Sequence, residues 1–263
     1  MHAVVLASLV AVAGCNPDTD TITQQRAACA SGDAAACHAH GMRNLEGVHH
    51  LRDVREAARL FARACDGNVA ESCYQLGRLR QTSRRVGYDS ALALTLLEKA
   101  CAGGSRGGCG ELAIRYRRGA GIRKDPVRAV ELLSRACDGG EGGERLALCL
   151  QLAEMADSGE GMARDSVRAA TLYERACTDD EQSGCVGFAR HLAAGGGVAR
   201  DEARAAQMLQ TACEDRWNGE ACFYLSDLVA AGRGVPRDPG RAAQLVRMAC
   251  HREYRAACPR EES

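Results

Sequence analysis

The chain has 263 residues, and its 34 basic and 34 acidic side chains leave no net charge. That balance excludes the basic excess of a nucleic-acid binder and the acidic excess of a solvating tail. Aromatic residues are few and alanine, arginine and leucine abound, which favours helix over strand; the anomalies are 15 cysteines and 29 glycines.

Residues 3–13 (AVVLASLVAVA), preceded by Met1-His2, are apolar or small. They are too few for a membrane-spanning helix, which needs about 20 residues, and fit the apolar region of a secretory signal. The run ends in Val12-Ala13-Gly14-Cys15, which resembles the lipobox of bacterial lipoproteins. By that resemblance residues 1–15 are a signal, Cys15 is the lipidated cysteine, and 16–23 form a polar tether. Asn16, in place of aspartate after the cysteine, implies the outer membrane. The alternative is an ordinary cleaved signal and a secreted chain.

The remaining fourteen cysteines fall into consecutive pairs: Cys29 and Cys37, Cys65 and Cys73, Cys101 and Cys109, Cys137 and Cys149, Cys177 and Cys185, Cys213 and Cys222, Cys250 and Cys258. Five pairs are spaced by eight residues, one by nine and one by twelve; the first members recur every 36 to 40 residues. Sequence does not fix connectivity. Locality favours seven local disulfides, because each cysteine has one close neighbour and the next candidate is about 28 residues away. The wide pair is read as a four-residue loop insertion. No C-x-x-C occurs, so zinc, c-type haem and thioredoxin-like chemistry lack their signatures. Disulfides need an oxidising compartment, which agrees with an exported chain.

The same period runs through residues 24–263. Four segments align on Gly119-x-Gly121, Gly159-x-Gly161, Gly195-x-Gly197 and Gly232-x-Gly234, each followed four residues later by Asp125, Asp165, Asp201 or Asp238. Apolar residues at helical spacing lie on both sides, which predicts a helix pair per repeat. Glycine ends the first helix, aspartate caps the second, and Pro126 and Pro239 stand where a missing N–H costs nothing. Small residues at Ala129, Ala169, Ala205 and Ala242 predict close helix approach.

This pattern resembles the Sel-one-like repeats, relatives of the tetratricopeptide repeats, and the cysteine pairing resembles their disulfide-rich secreted branch, the Helicobacter cysteine-rich proteins. Residues 47–53 and 80–89 depart from it by lacking the double glycine. The resemblance implies an all-α fold, an α-α superhelix of about six helix pairs, with a half-repeat helix near 20–29 and a stapled stub at 251–258. It also implies a binding scaffold with a protein or peptide in its concave groove, no cofactor and no nucleic acid. Arg78, Arg115, Tyr116 and His191 are expected at exposed groove positions, and Trp217 as an exposed anchor.

The family's association with β-lactams makes a β-lactam-binding hydrolase the alternative. The chain has only Lys99 and Lys124, and neither belongs to Ser-x-x-Lys or Lys-Thr-Gly. No catalytic residue is assigned. His38, His40, His49 and His50 cluster in sequence, but His38 and His40 are two apart and do not share a helix face, so no metal site is assigned.

Overall fold

A computed structural model describes residues 17–47, 52–138, 143–178 and 182–258. Cys15, His49 and His50 lie outside them. The described residues contain thirteen α-helices, a short 3-10 turn at Arg255–Ala257, and no strand. The chain divides into two compact units, residues 1–104 and 105–263.

The first unit holds α1 (Pro17–Ala30), α2 (Ala34–Glu46), α3 (Val54–Asp66), α4 (Ala70–Thr82) and α5 (Ser90–Ala102). Helix α1 covers most of the stretch expected as a tether. The second unit holds α6 (Arg106–Arg118), α7 (Pro126–Cys137), α8 (Gly143–Ser158), α9 (Ser166–Thr178), α10 (Gln182–Ala194), α11 (Glu202–Glu214), α12 (Gly219–Ala231) and α13 (Pro239–His251). Within each unit every helix packs on the next in sequence. The six expected helix pairs are present: α2/α3, α4/α5, α6/α7, α8/α9, α10/α11 and α12/α13.

All six pairs close in the same way. The N–H of the aspartate before the second helix donates to a carbonyl nine residues earlier: Asp53 to Asn44, Asp89 to Arg80, Asp125 to Tyr116, Asp165 to Ala156, Asp201 to Leu192 and Asp238 to Val229, at 2.8–3.0 Å. The same aspartate then turns its carboxylate onto the first turn of the second helix. It accepts from the N–H of Glu56, Leu92, Arg128, Arg168, Arg204 or Arg241 at 2.9–3.0 Å. One residue thus stops the turn and starts the helix.

The two glycines of Gly-x-Gly have different tasks. The first ends the helix in the left-handed region, as at Gly195 with φ +72°. The second also has positive φ, and at Gly161, Gly197 and Gly234 it lies against the preceding repeat. A Cβ on Gly197 would come within 2.3 Å of the Ser166 carbonyl oxygen at the start of α9. Residues Ala129, Ala169 and Ala205 are fully buried, as expected of close helix contacts.

All fourteen cysteines from Cys29 to Cys258 are disulfide-bonded. The bridges with described geometry join the consecutive partners expected: 29–37, 65–73, 137–149, 177–185, 213–222 and 250–258. None lies inside a helix pair: 29–37 joins α1 to α2, 250–258 joins α13 to the end of the 3-10 turn, and the others join successive pairs. The wide pair corrects the loop-insertion reading. Cys149 is the seventh residue of α8, whereas Cys73, Cys109, Cys185 and Cys222 are each the fourth of their helix. Helix α8 has 16 residues against 13 in α10 and α12, so most of the insertion became an extra helical turn.

Candidate binding groove of the second unit

In the second unit two pairs of successive first helices touch, α6 with α8 and α10 with α12. Among the described residues no comparable contact joins α7, α9, α11 and α13. The side formed by the first helices α8, α10 and α12 carries the candidate groove.

The common closure puts the helices in register. Counting back from each closing carbonyl, equivalent positions are Ala147, Ser183 and Glu220; Gln151, Gly187 and Tyr224; Glu154, Arg190 and Asp227. Their spacing of four and three residues places them on one face of α8, α10 and α12. Two adjoining pockets open there. One of about 350 Å³ includes Gln151, Glu154, Tyr173, Arg190 and Glu220. The other, about 270 Å³, includes Asp157, Arg190, His191, Tyr224 and Asp227. Arg190 belongs to both, with its guanidinium 4.6 Å from the Tyr224 ring centre.

The groove is electrostatically mixed. Burial, reinforced by Glu154 and Asp157, pushes the Tyr173 hydroxyl up to about 12. Burial also raises the Glu220 carboxyl, against the pull of Arg190. Tyr254, hydrogen-bonded to Tyr224, is likewise pushed up to about 12, mainly by burial.

Two sequence expectations need correction. Arg115 and His191 are not exposed; they retain 9% and 7% of their accessible surface. Both occupy the residue just before a closing carbonyl, a position filled by buried Leu79, Met155 and Leu228 in three other pairs and by half-buried Arg43 in the α2/α3 pair. Arg78, one position earlier in its own repeat, is exposed and lies 5.6 Å from the Tyr74 ring centre. Tyr116 is half-buried. The residues sequence reasoning missed, Glu154, Arg190, Glu220, Tyr224 and Asp227, become recognisable once the register of closure is known.

A family model described as Sel1 repeat matches residues 34–69, 70–105, 108–141, 147–180, 186–215 and 219–254. The chain belongs to the Sel1 repeat family. Solved Sel1-type structures share its fold. A protective antigen of uropathogenic Escherichia coli with an SLR fold is 23% identical over 90% of this chain, with a TM-score of 0.74; the chain spans half the length of that protein. A Sel1 repeat protein from Oxalobacter formigenes is 21% identical, with 88% of this chain and 99% of that one covered and a TM-score of 0.65. Helicobacter pylori cysteine rich protein B is 26% identical over 51% of this chain and 93% of its own, with a TM-score of 0.39. No curated protein matches.

Two further loci lie outside the groove. Trp217, in the joint between the α11 and α12 halves of adjoining Sel1 repeats, is 73% exposed and has φ +58°. Arg252 lies 4.7 Å from its ring centre and donates to the Cys213 carbonyl. In the first unit, His38 is pulled below its usual range by burial, with Nδ1 2.8 Å from Ser72 Oγ, and its ring packs near Phe61. His40 is buried in the same helix.

Proposed function

We propose that this Sel1 repeat protein is an exported scaffold that binds a protein or peptide segment along the α8–α10–α12 face. The supporting observation is the in-register row of polar and aromatic side chains, with two pockets sharing Arg190. Arg190 and Tyr224 form a stacked pair at the centre, the kind of residues that dominate interface energetics. The zero net charge gives no electrostatic reason to bind nucleic acid.

Export is supported by fourteen disulfide-bonded cysteines, which persist only under oxidising conditions. A lipid on Cys15 would tether the scaffold to the outer membrane. The test is partner capture with the full chain, lipidated or not, beside the double variant Arg190→Ala, Tyr224→Ala. A partner lost from the double variant and retained by Trp217→Ala supports the groove. Equal capture by both variants places binding elsewhere. Mass measurement of the mature N-terminus, with Cys15→Ala as control, tests the lipid.

A further inference from the structure

Four arginines line one pocket of about 330 Å³ in the first unit: Arg55 and Arg59 on α3, Arg80 on α4, and Arg85 in the turn before α5. Ala58, Ala62 and Val86 complete the wall, and among the described residues no acid lines it. The acids on the same elements are engaged elsewhere. Glu56 pairs with Arg59 at 2.5 Å. Asp53 and Asp89 cap α3 and α5. The Asp53 carboxyl is held below its usual range first by the α3 N–H groups, and only then by Arg59 and Arg55.

The other three arginines have no carboxylate partner among the described residues. Arg55 Nε donates to the Arg85 carbonyl at 3.2 Å, and Arg80 Nη1 to the Val86 carbonyl at 2.8 Å. These bonds fix two guanidiniums without neutralising them. Arg80 is half-buried, and its Nε is buried with no acceptor. The exposed Arg85 side chain makes no hydrogen bond among the described residues; only its carbonyl is used. Three positive charges thus converge beside an apolar wall, an arrangement that is costly until an anion joins them.

We propose that this pocket binds a phosphate monoester, its phosphate held by the Arg55, Arg80 and Arg85 guanidiniums and its organic stem against Ala58, Ala62 and Val86. A guanidinium fork meets phosphate oxygens two at a time. The charge is delocalised over the whole guanidinium, so a ligand need not reach the buried Arg80 Nε to compensate it. Three unpaired charges favour a dianion over a carboxylate or a phosphodiester, each of which carries one charge. At about 330 Å³ the pocket admits a small stem as well. The site lies in the other unit from the α8–α10–α12 face, and the two readings stand independently.

The test titrates the full, oxidised chain by calorimetry with methyl phosphate, dimethyl phosphate and acetate at fixed ionic strength. At pH 8 the monoester is a dianion, because its second pKa is about 6. Saturable binding of methyl phosphate is expected, at least tenfold tighter than of either monoanion. Arg85→Gln is the decisive variant, because the side chain it replaces holds nothing in the fold. At least tenfold weaker binding is expected, with the melting temperature unchanged. Arg118→Gln removes an exposed charge from the second unit and should leave binding unchanged. No saturable binding of methyl phosphate overturns the site. Equal affinities for the three anions, or equal losses in the two variants, also overturn it, since either means general attraction to basic surface.

Two further probes separate the sources of the phosphate: glycerol 3-phosphate in solution, and phosphatidylcholine vesicles carrying phosphatidic acid. Tighter binding of glycerol 3-phosphate than of methyl phosphate supports a soluble ester. Retention on the vesicles, lost in Arg85→Gln, supports a lipid headgroup. If neither probe binds while methyl phosphate does, the apolar wall takes no stem and that part of the proposal is overturned.

Discussion

The α4/α5 pair of the first unit and the α10/α11 pair of the second reach the same hairpin with different turns. In both, an aspartate N–H closes onto the carbonyl nine residues earlier, at 2.9 Å, and its carboxylate caps the second helix. The second unit fills the turn with Gly195 and Gly197, both at positive φ. The first has no such pair. Its turn is tied by arginines instead: Arg80 donates to the Val86 carbonyl at 2.8 Å, and Arg55 on α3 to the Arg85 carbonyl at 3.2 Å. The constant device is closure plus cap; the double glycine is one of two ways to fill what lies between.

That comparison can be broken first at Gly197. Alanine there combines a strained positive φ with a Cβ placed 2.3 Å from the Ser166 carbonyl oxygen. A loss of roughly 3 kcal/mol is expected in the second unit, read from thermal or chemical unfolding, while amide exchange in the first unit stays unchanged. Next come the bridges, which serve both units alike. Removing Cys65–Cys73 or Cys213–Cys222 by paired alanine substitution should cost about 2.5 kcal/mol each in the chain-entropy model, whatever the turn chemistry nearby. Unequal losses would mean that strain or packing differs between the two joints.

The caps sharpen the common part. Asp89→Ala and Asp201→Ala should each cost about 1 kcal/mol and agree within error, since both lose the same carboxylate bond. The smallest effect is a pH dependence confined to the first unit. Burial lowers the His38 proton affinity in the fold, so the unfolded chain binds its proton more tightly. The stability this contributes is complete above the unfolded value of about 6.5 and is lost as pH falls below it. His38→Gln should flatten that slope in denaturant titrations between neutral and mildly acidic pH.

Much of this architecture is legible in the sequence because the repeat is marked three times over, by cysteines, glycines and capping aspartates. The seven bridges and the helix starts at Asp125, Asp165, Asp201 and Asp238 follow directly. The degenerate pairs are harder, since arginine ties such as Arg80 to Val86 leave no local signature. The second glycine's contact with the preceding repeat is also invisible, because it depends on packing between residues 31 apart. The extra turn of α8 is missed for a related reason: spacing gives the size of an insertion but not whether the inserted residues become helix. Arg115 and His191 were expected at the surface because polarity alone does not reveal that their position faces inward. Glu154, Arg190 and Asp227 look like ordinary helix charges until the shared closure aligns them.

The placement of the bridges has a further consequence for resistance to proteolysis. Joint loops such as 67–69, with exposed Gly67 and Asn68, are natural targets for proteases, yet each is spanned by a disulfide. A cut between Cys65 and Cys73 opens the backbone but leaves the two fragments covalently attached. The helix pairs on either side keep their own closures and caps. The molecule can therefore be nicked at such a joint without coming apart, and the cuts that release fragments are those in the turns within a pair.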